Sequence, residues 1–222
     1  MRKILLIEDR SQRQKLFGNE NGIDFALYDD ILENAIDEKY RILLDELKND
    51  TFNFDNYSLI IAHKSAFEDN NISILKKIEN HCKENKKTLV LFSGGIEGNY
   101  YHDENDYISI EITSKTLYSQ NIKLFLEDFR LGNNNPLILS YGEDWKINIL
   151  LNSLEKINYL LENNEKESIF YKRFVEDSKI ELVEDLDLQL YQAILEGRKI
   201  SKNEIIKVRD SIFSKIKELS NE

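Results

Sequence analysis

The chain of 222 residues is 41% apolar and 32% charged and carries a formal charge of −11, which allows one or two domains with a substantial core. So acidic a balance argues against nonspecific attraction to nucleic acid or anionic lipid. The single Cys82 leaves no intrachain disulfide framework and no cysteine zinc site. With no apolar run of membrane-spanning length and no signal-peptide pattern at the start, a cytoplasmic protein is expected.

The first element is the run Ile4-Leu5-Leu6-Ile7, apolar without a break and followed by Glu8 and Asp9. Such a run reads as a strand buried on both faces, as in the middle of a parallel sheet. Carboxylates just beyond it stand at the edge where open α/β sheets build their sites. Residues 23–28, Ile-Asp-Phe-Ala-Leu-Tyr, predict a weaker strand with one less buried face. Ile36, Tyr40, Leu43, Leu44 and Leu47 then recur at helical spacing. Tyr57–His63 is the second strongly apolar strand, a helix carrying Ile74, Leu75, Ile78 and Cys82 follows, and Thr88–Ser93 is the third. Residues 94–106 are rich in Gly, Asn and acidic side chains and lack helical periodicity. Residues 107–112 alternate as another strand, and Leu117, Ile122, Phe125, Leu126 and Phe129 mark a helix opening near Ser119. Strands alternating with helices predict right-handed βαβ units, hence an α/β fold with a five-stranded parallel sheet between helices.

A break falls at residues 131–136, Leu-Gly-Asn-Asn-Asn-Pro, which hold the chain's one proline. Gly and Asn suit a helix C-terminal cap, and Pro does not continue the helix. Two regions are therefore expected, an α/β domain over 1–131 and a helical region over 137–222. Residues 136–142 read as a short strand or extended connector. Helices are predicted over 144–162, 168–178 and 185–196. A last helix opens with the capping-box spacing Ser201-Lys202-Asn203-Glu204. Its Ile205, Val208, Ile212, Ile216 and Leu219 recur near heptad spacing, as a core stripe or a dimer or partner seam would.

Over residues 1–131 the pattern resembles a response-regulator receiver domain, a flavodoxin-like fold. The resemblance rests on strand order and loop positions. Glu8 and Asp9 match the acidic pair that holds Mg²⁺ in that family, and Ser93 matches the hydroxyl that contacts the phosphoryl group. Where the family places its acceptor Asp, at the end of the third strand, this chain has His63. Where the family places a Lys after the fifth strand, the chain reads Ile110-Glu111-Ile112-Thr113, with Lys115 offset. The stretch 94–106 implies that the family's fourth helix is shortened or lost. An imidazole is a poor ligand for Mg²⁺, which wants oxygen donors in near-octahedral geometry.

The receiver site of Glu8, Asp9, His63 and Ser93 therefore reads as degenerate. Glu8 and Asp9 either bind a cation, Mg²⁺ being the one the resemblance implies, or cap the next helix. His63 is a phosphohistidine, a metal ligand, or a polar residue filling a vacated pocket and pairing with Asp9. Ser93-Gly94-Gly95 is an anion cradle or a tight turn. The expected function is that of a pseudo-receiver, a signalling module that binds a partner protein without phosphoryl transfer. No enzymatic activity, cofactor, membrane or nucleic-acid partner is expected. A homodimer through Ile205, Ile212 and Ile216 stays open. Two alternatives remain: a transcription regulator using the final helix, whose Lys202, Lys207, Arg209, Lys215 and Lys217 are interleaved with acids, and a phosphohydrolase using Glu8, Asp9 and His63 with a metal.

Overall fold

The computed structural model describes residues 3–67, 71–96, 99–104, 107–163, 182–183 and 201–221. The chain divides into two compact units, Met1–Gly142 and Glu143–Glu222. The first unit carries β1 (Lys3–Ile7), α1 (Ser11–Asn21), β2 (Leu32–Ala35), α2 (Asp37–Lys48), β3 (Tyr57–His63), α3 (Ile72–Glu84) and β4 (Thr88–Ser93). It continues through β5 (Tyr100–Glu104), β6 (Tyr107–Thr113), α4 (Ser114–Leu117), α5 (Gln120–Arg130) and α6 (Leu137–Tyr141). The strands form one six-stranded sheet in the order β2-β1-β3-β4-β6-β5. All neighbours are parallel except the β5–β6 pair. The order is compatible with a flavodoxin-like sheet.

The apolar runs become the sheet's interior. Ile4 to Ile7 of β1 and Leu59 to Ala62 of β3 are fully buried, as strands covered on both faces must be. One face packs Leu5, Ile7, Ile60, Leu89 and Leu91 against Leu43 and Leu47 of α2 and Ile74, Ile78 and Cys82 of α3. On the other face the Tyr118 ring meets Phe17 of α1 at 5.9 Å and Phe92 of β4 at 5.5 Å, centroid to centroid. Gly22, at φ +64°, closes α1 in the left-handed conformation that a side chain resists.

Three expectations need correction. The sheet has six strands rather than five, because Tyr100–Glu104 forms an antiparallel hairpin with β6. Its sequence, Tyr-Tyr-His-Asp-Glu, ends in polar and charged residues, which suits an edge, where only one flank needs a partner. Residues 23–28 contain no strand: Phe25–Tyr28 is a 3₁₀ turn, opened by Asp24 Oδ1 accepting the Ala26 N–H at 3.0 Å. An Asp side chain competes in this way for backbone that a ladder would use. The strand forms instead at Leu32–Ala35, with Leu32 level with Ile4 and Ala35 with Ile7. Residues 136–142 are not extended either. Pro136, at φ −68° and ψ −12°, is preset for the helix α6. The Asn99 and Asn121 amides then cap carbonyls of Ser140 and Leu139 at 3.0 and 3.3 Å. Since α6 packs on α4 and α5, the first unit runs past the turn at 131–136.

In the second unit α7 (Trp145–Asn163) and α8 (Lys202–Leu219) pack against each other. Ile149, Leu150, Ile157, Ile205, Val208 and Ile212 are buried, whereas Phe213 is exposed. The capping box opens α8 as expected: Ser201 Oγ accepts from Glu204 N at 3.3 Å, and Glu204 Oε2 accepts from Ser201 N at 2.9 Å. The helices expected over 168–178 and 185–196 lie outside the described residues. No helix among the described residues is long and apolar enough to cross a membrane.

Candidate functional site at the carboxyl edge of the sheet

Parallel strands end together, so the residues after β1, β3 and β4 converge. Glu8 and Asp9 leave β1, His63 ends β3 and Ser93 ends β4. Glu8 and His63 are fully buried, and the Asp9 side chain is 23% exposed. Burial of an ionised carboxylate needs a partner charge and hydrogen bonds. Glu8 has both. Arg13 Nη2, from the first turn of α1, bridges its two oxygens at 2.8 and 2.9 Å. The Arg10 N–H donates to Oε1 at 2.8 Å, and the Tyr118 hydroxyl donates to Oε2 at 2.9 Å. Tyr118 in turn accepts from Gln14 Nε2 at 3.4 Å, and Gln14 exchanges amide hydrogen bonds with Asn34 of β2. Burial, then the Glu8 charge, pushes the Tyr118 phenol well above its ordinary range, which keeps it a donor.

His63 binds on both ring nitrogens. Nδ1 contacts Asp9 Oδ1 in a short hydrogen bond, and Glu8 Oε1 lies 3.7 Å from the same nitrogen. Nε2 meets the Ser65 hydroxyl at 2.8 Å. The ring rests near Phe92, centroids 5.2 Å apart, and the Arg13 guanidinium sits 5.9 Å from the same Phe92 ring. Burial raises the Asp9 carboxyl, but the hydrogen bond and charge of His63 outweigh it and hold the group below its ordinary value.

The sequence-expected residues thus divide. Glu8, Asp9 and His63 come together, and the expected His63–Asp9 pairing is present. Ser93 sits at the neighbouring strand end, where its Oγ accepts from the Gly95 N–H at 3.3 Å, so it makes the tight turn. Lys115 is exposed on α4, while Lys64 pairs with Glu111 at 2.9 Å. Arg13, Ser65 and Tyr118 complete the network and were not singled out in the sequence. His63-Lys64-Ser65 directly after a buried strand was the one signal available for Ser65. Tyr118 is 110 residues from Glu8 and no local pattern links them. A cleft of about 520 Å³ lined by α1, the 3₁₀ turn and the start of α2 shares only Gln14 and Asn34 with this network.

Ligand atoms of Glu8, Asp9 and His63 lie within 4.8 Å of one another, close enough for a shared cation. The donor chemistry does not fit Mg²⁺. One of the three is an imidazole, and both Glu8 oxygens are bridged by the Arg13 nitrogen. Comparison of the chain with protein-family models, curated proteins and solved structures gives no match.

Proposed function

We propose that the Met1–Gly142 unit is a receiver-like domain that has given up phosphoryl transfer and serves as a protein-interaction module. The carrying observation is Arg13 bridging Glu8. In the receiver family a divalent cation neutralises this acidic pair; here a guanidinium of the chain does so, with the His63 ring on the second carboxylate. The charge that phosphorylation and Mg²⁺ would regulate is then fixed by the fold, which leaves binding through surfaces as the domain's output. The strand order with β5 set aside supports the same reading. The β5–β6 hairpin occupies the connection where a receiver carries its fourth helix, on the face many receivers use for signalling, so the partner would differ from theirs.

The final helix supports a nucleic-acid output poorly. Lys215 is buried and pairs with Glu218 at 2.7 Å, and Arg209 pairs with Asp210 at 2.8 Å, so these two cations add little to a positive face. The test is incubation of the full chain with a small acyl-phosphate donor and Mg²⁺, read by intact mass, alongside calorimetric titration with Mg²⁺. No added phosphoryl mass and no binding heat are expected. A phosphoryl adduct mapping beside His63, or saturable Mg²⁺ binding lost in Glu8→Gln, overturns the reading.

A further inference from the structure

We infer that Ser65 is a nucleophile, activated by His63 and Asp9, that takes an acyl group from a small activated ester. This goes beyond the interaction role and does not depend on it. The arrangement is a relay in a definite order. A carboxylate binds one imidazole nitrogen, and the other nitrogen meets a serine hydroxyl at 2.8 Å. With Nδ1–H donating to Asp9, Nε2 carries the lone pair that accepts the Ser65 proton, which is the geometry required of a nucleophile, its base and the group that orients the base.

The surroundings favour the charge that the reaction would develop. An imidazolium at His63 would face Asp9 directly and Glu8 Oε1 at 3.7 Å. Arg13 already balances Glu8, and Asp9, whose other oxygen lies 3.8 Å from the exposed Arg10 Nε, is the counter-ion for the new positive charge. The ring is held rigidly, being fully buried and placed against Phe92. Ser65 is only partly buried, at the start of the 3₁₀ turn Lys64–Phe67, whereas His63 is fully buried. His63 pairs with Phe92 in the sheet, so Ser93 and Gly94 follow on the adjoining strand as Lys64 and Ser65 follow on this one. The Ser93–Gly95 turn thus follows the strand beside His63, and its Gly95 N–H already donates to Ser93 Oγ at 3.3 Å. A side chain added at Gly94 or Gly95 would meet nothing within 4 Å, so the approach there is open.

In the step, Ser65 Oγ bonds to the acyl carbon as its proton passes to His63 Nε2. The tetrahedral adduct collapses, the carbon–oxygen bond to the leaving alcohol breaks, and that alkoxide takes the proton from Nε2. Water then repeats the sequence on the Ser65 ester and releases the carboxylic acid. Nothing is oxidised or reduced.

The experiment treats the full chain with a fluorophosphonate, which reacts with an activated serine hydroxyl by losing fluoride, and with p-nitrophenyl acetate. A single adduct mapping to Ser65 is expected, with release of p-nitrophenolate. Ser65→Ala should stay folded, with a somewhat lower melting temperature, and lose both reactions. Asp9→Asn should slow labelling by about 100-fold or more while leaving Ser65 in place. Labelling that persists in Ser65→Ala, a rate indifferent to Asp9→Asn, or folded protein no more reactive than its urea-unfolded form would each overturn the assignment.

Discussion

The carboxyl edge of the sheet and the exposed side of α8 both hold opposite charges at hydrogen-bond distance, yet the two are built on different physics. At the sheet edge Glu8 is wholly buried and Arg13 only 17% exposed. On α8 the paired Arg209 and Asp210 side chains are 38% and 61% exposed. Water screens the second pair whether or not the partner is present. For Glu8 no water is available as a substitute, so each donor around it supplies part of what solvation supplied in the unfolded chain. Sequence spacing does not separate the two cases. Burial does.

The sharpest way to break the comparison is to remove Arg13. Arg13→Ala leaves Glu8 buried with its main counter-charge gone, and the expected loss is about 3–5 kcal/mol of folding stability, read from urea denaturation of the full chain. Glu8→Gln in the same background should recover part of that loss, since a neutral amide is cheaper to bury unpaired than a carboxylate. A loss below 1 kcal/mol for Arg13→Ala would mean that Glu8 is hydrated or protonated in solution, and the contrast with α8 would fall.

An apolar change in the second unit calibrates the scale. Ile212 is 1% exposed, and Ile212→Ala should cost about 2–5 kcal/mol by the lost burial and the cavity left behind. Ile212→Glu separates core from interface. A fall in melting temperature without a change in mass by light scattering marks core, and loss of a dimer in a still-folded chain marks a seam. Phe213 beside it is 49% exposed, so the buried stripe does not extend to it.

How far the molecule was legible in the sequence follows the same division. Ile4–Ile7, Tyr57–His63 and Thr88–Ser93 could be read because a strand covered on both faces has no polar positions to confuse the period. Leu32–Ala35 could not, since Glu33 and Asn34 are polar for tertiary reasons: Glu33 accepts from the Tyr57 hydroxyl and Asn34 bonds to Gln14. Asp24 and Pro136 each redirect their backbone locally, against an alternating or extended pattern. Glu8, Asp9 and His63 were visible as strand-end residues. Arg13 was not, because on sequence it is one more cation in the first turn of an ordinary helix, and only the fold places Glu8 over it.

A smaller effect is expected at Tyr118. Tyr118→Phe keeps the ring contacts with Phe17 and Phe92 but removes the donor to Glu8 Oε2. Arg13 and the Arg10 N–H still serve the carboxylate, so the cost should be about 1.5–3 kcal/mol, the range of a hydrogen bond to a charged group. The melting temperature of the variant should fall less than that of Arg13→Ala, and the reverse ranking would move the weight of the network from the guanidinium to the phenol.

Asp9 supplies the pH arm. Its carboxyl titrates below the ordinary value in the folded chain because His63 holds the ionised form. The unfolded chain therefore takes up a proton first as the solution is acidified. The stabilisation is complete above about pH 5 and is lost as the pH falls through the unfolded value, about 3.9, and on through the lower folded one. Asp9→Asn should flatten the acid limb of a stability-against-pH curve, leaving the plateau near neutrality lower than that of the native chain.

The smallest effect should be on α8, and it gives the comparison its baseline. Arg209 bonds to Asp210 through both Nε and Nη2, at 3.0 and 2.8 Å, a geometry that looks stronger than the single nitrogen Arg13 presents to Glu8. Adjacent residues on a helix point apart, however, so the pair holds long side chains in one arrangement against their own entropy. Arg209→Ala should change folding stability by no more than about 0.5 kcal/mol, and addition of salt should shift the native chain and the variant alike. A cost approaching that of Tyr118→Phe would show that the α8 pair is sheltered in solution, and solvent access would no longer explain why one ion pair matters and the other does not.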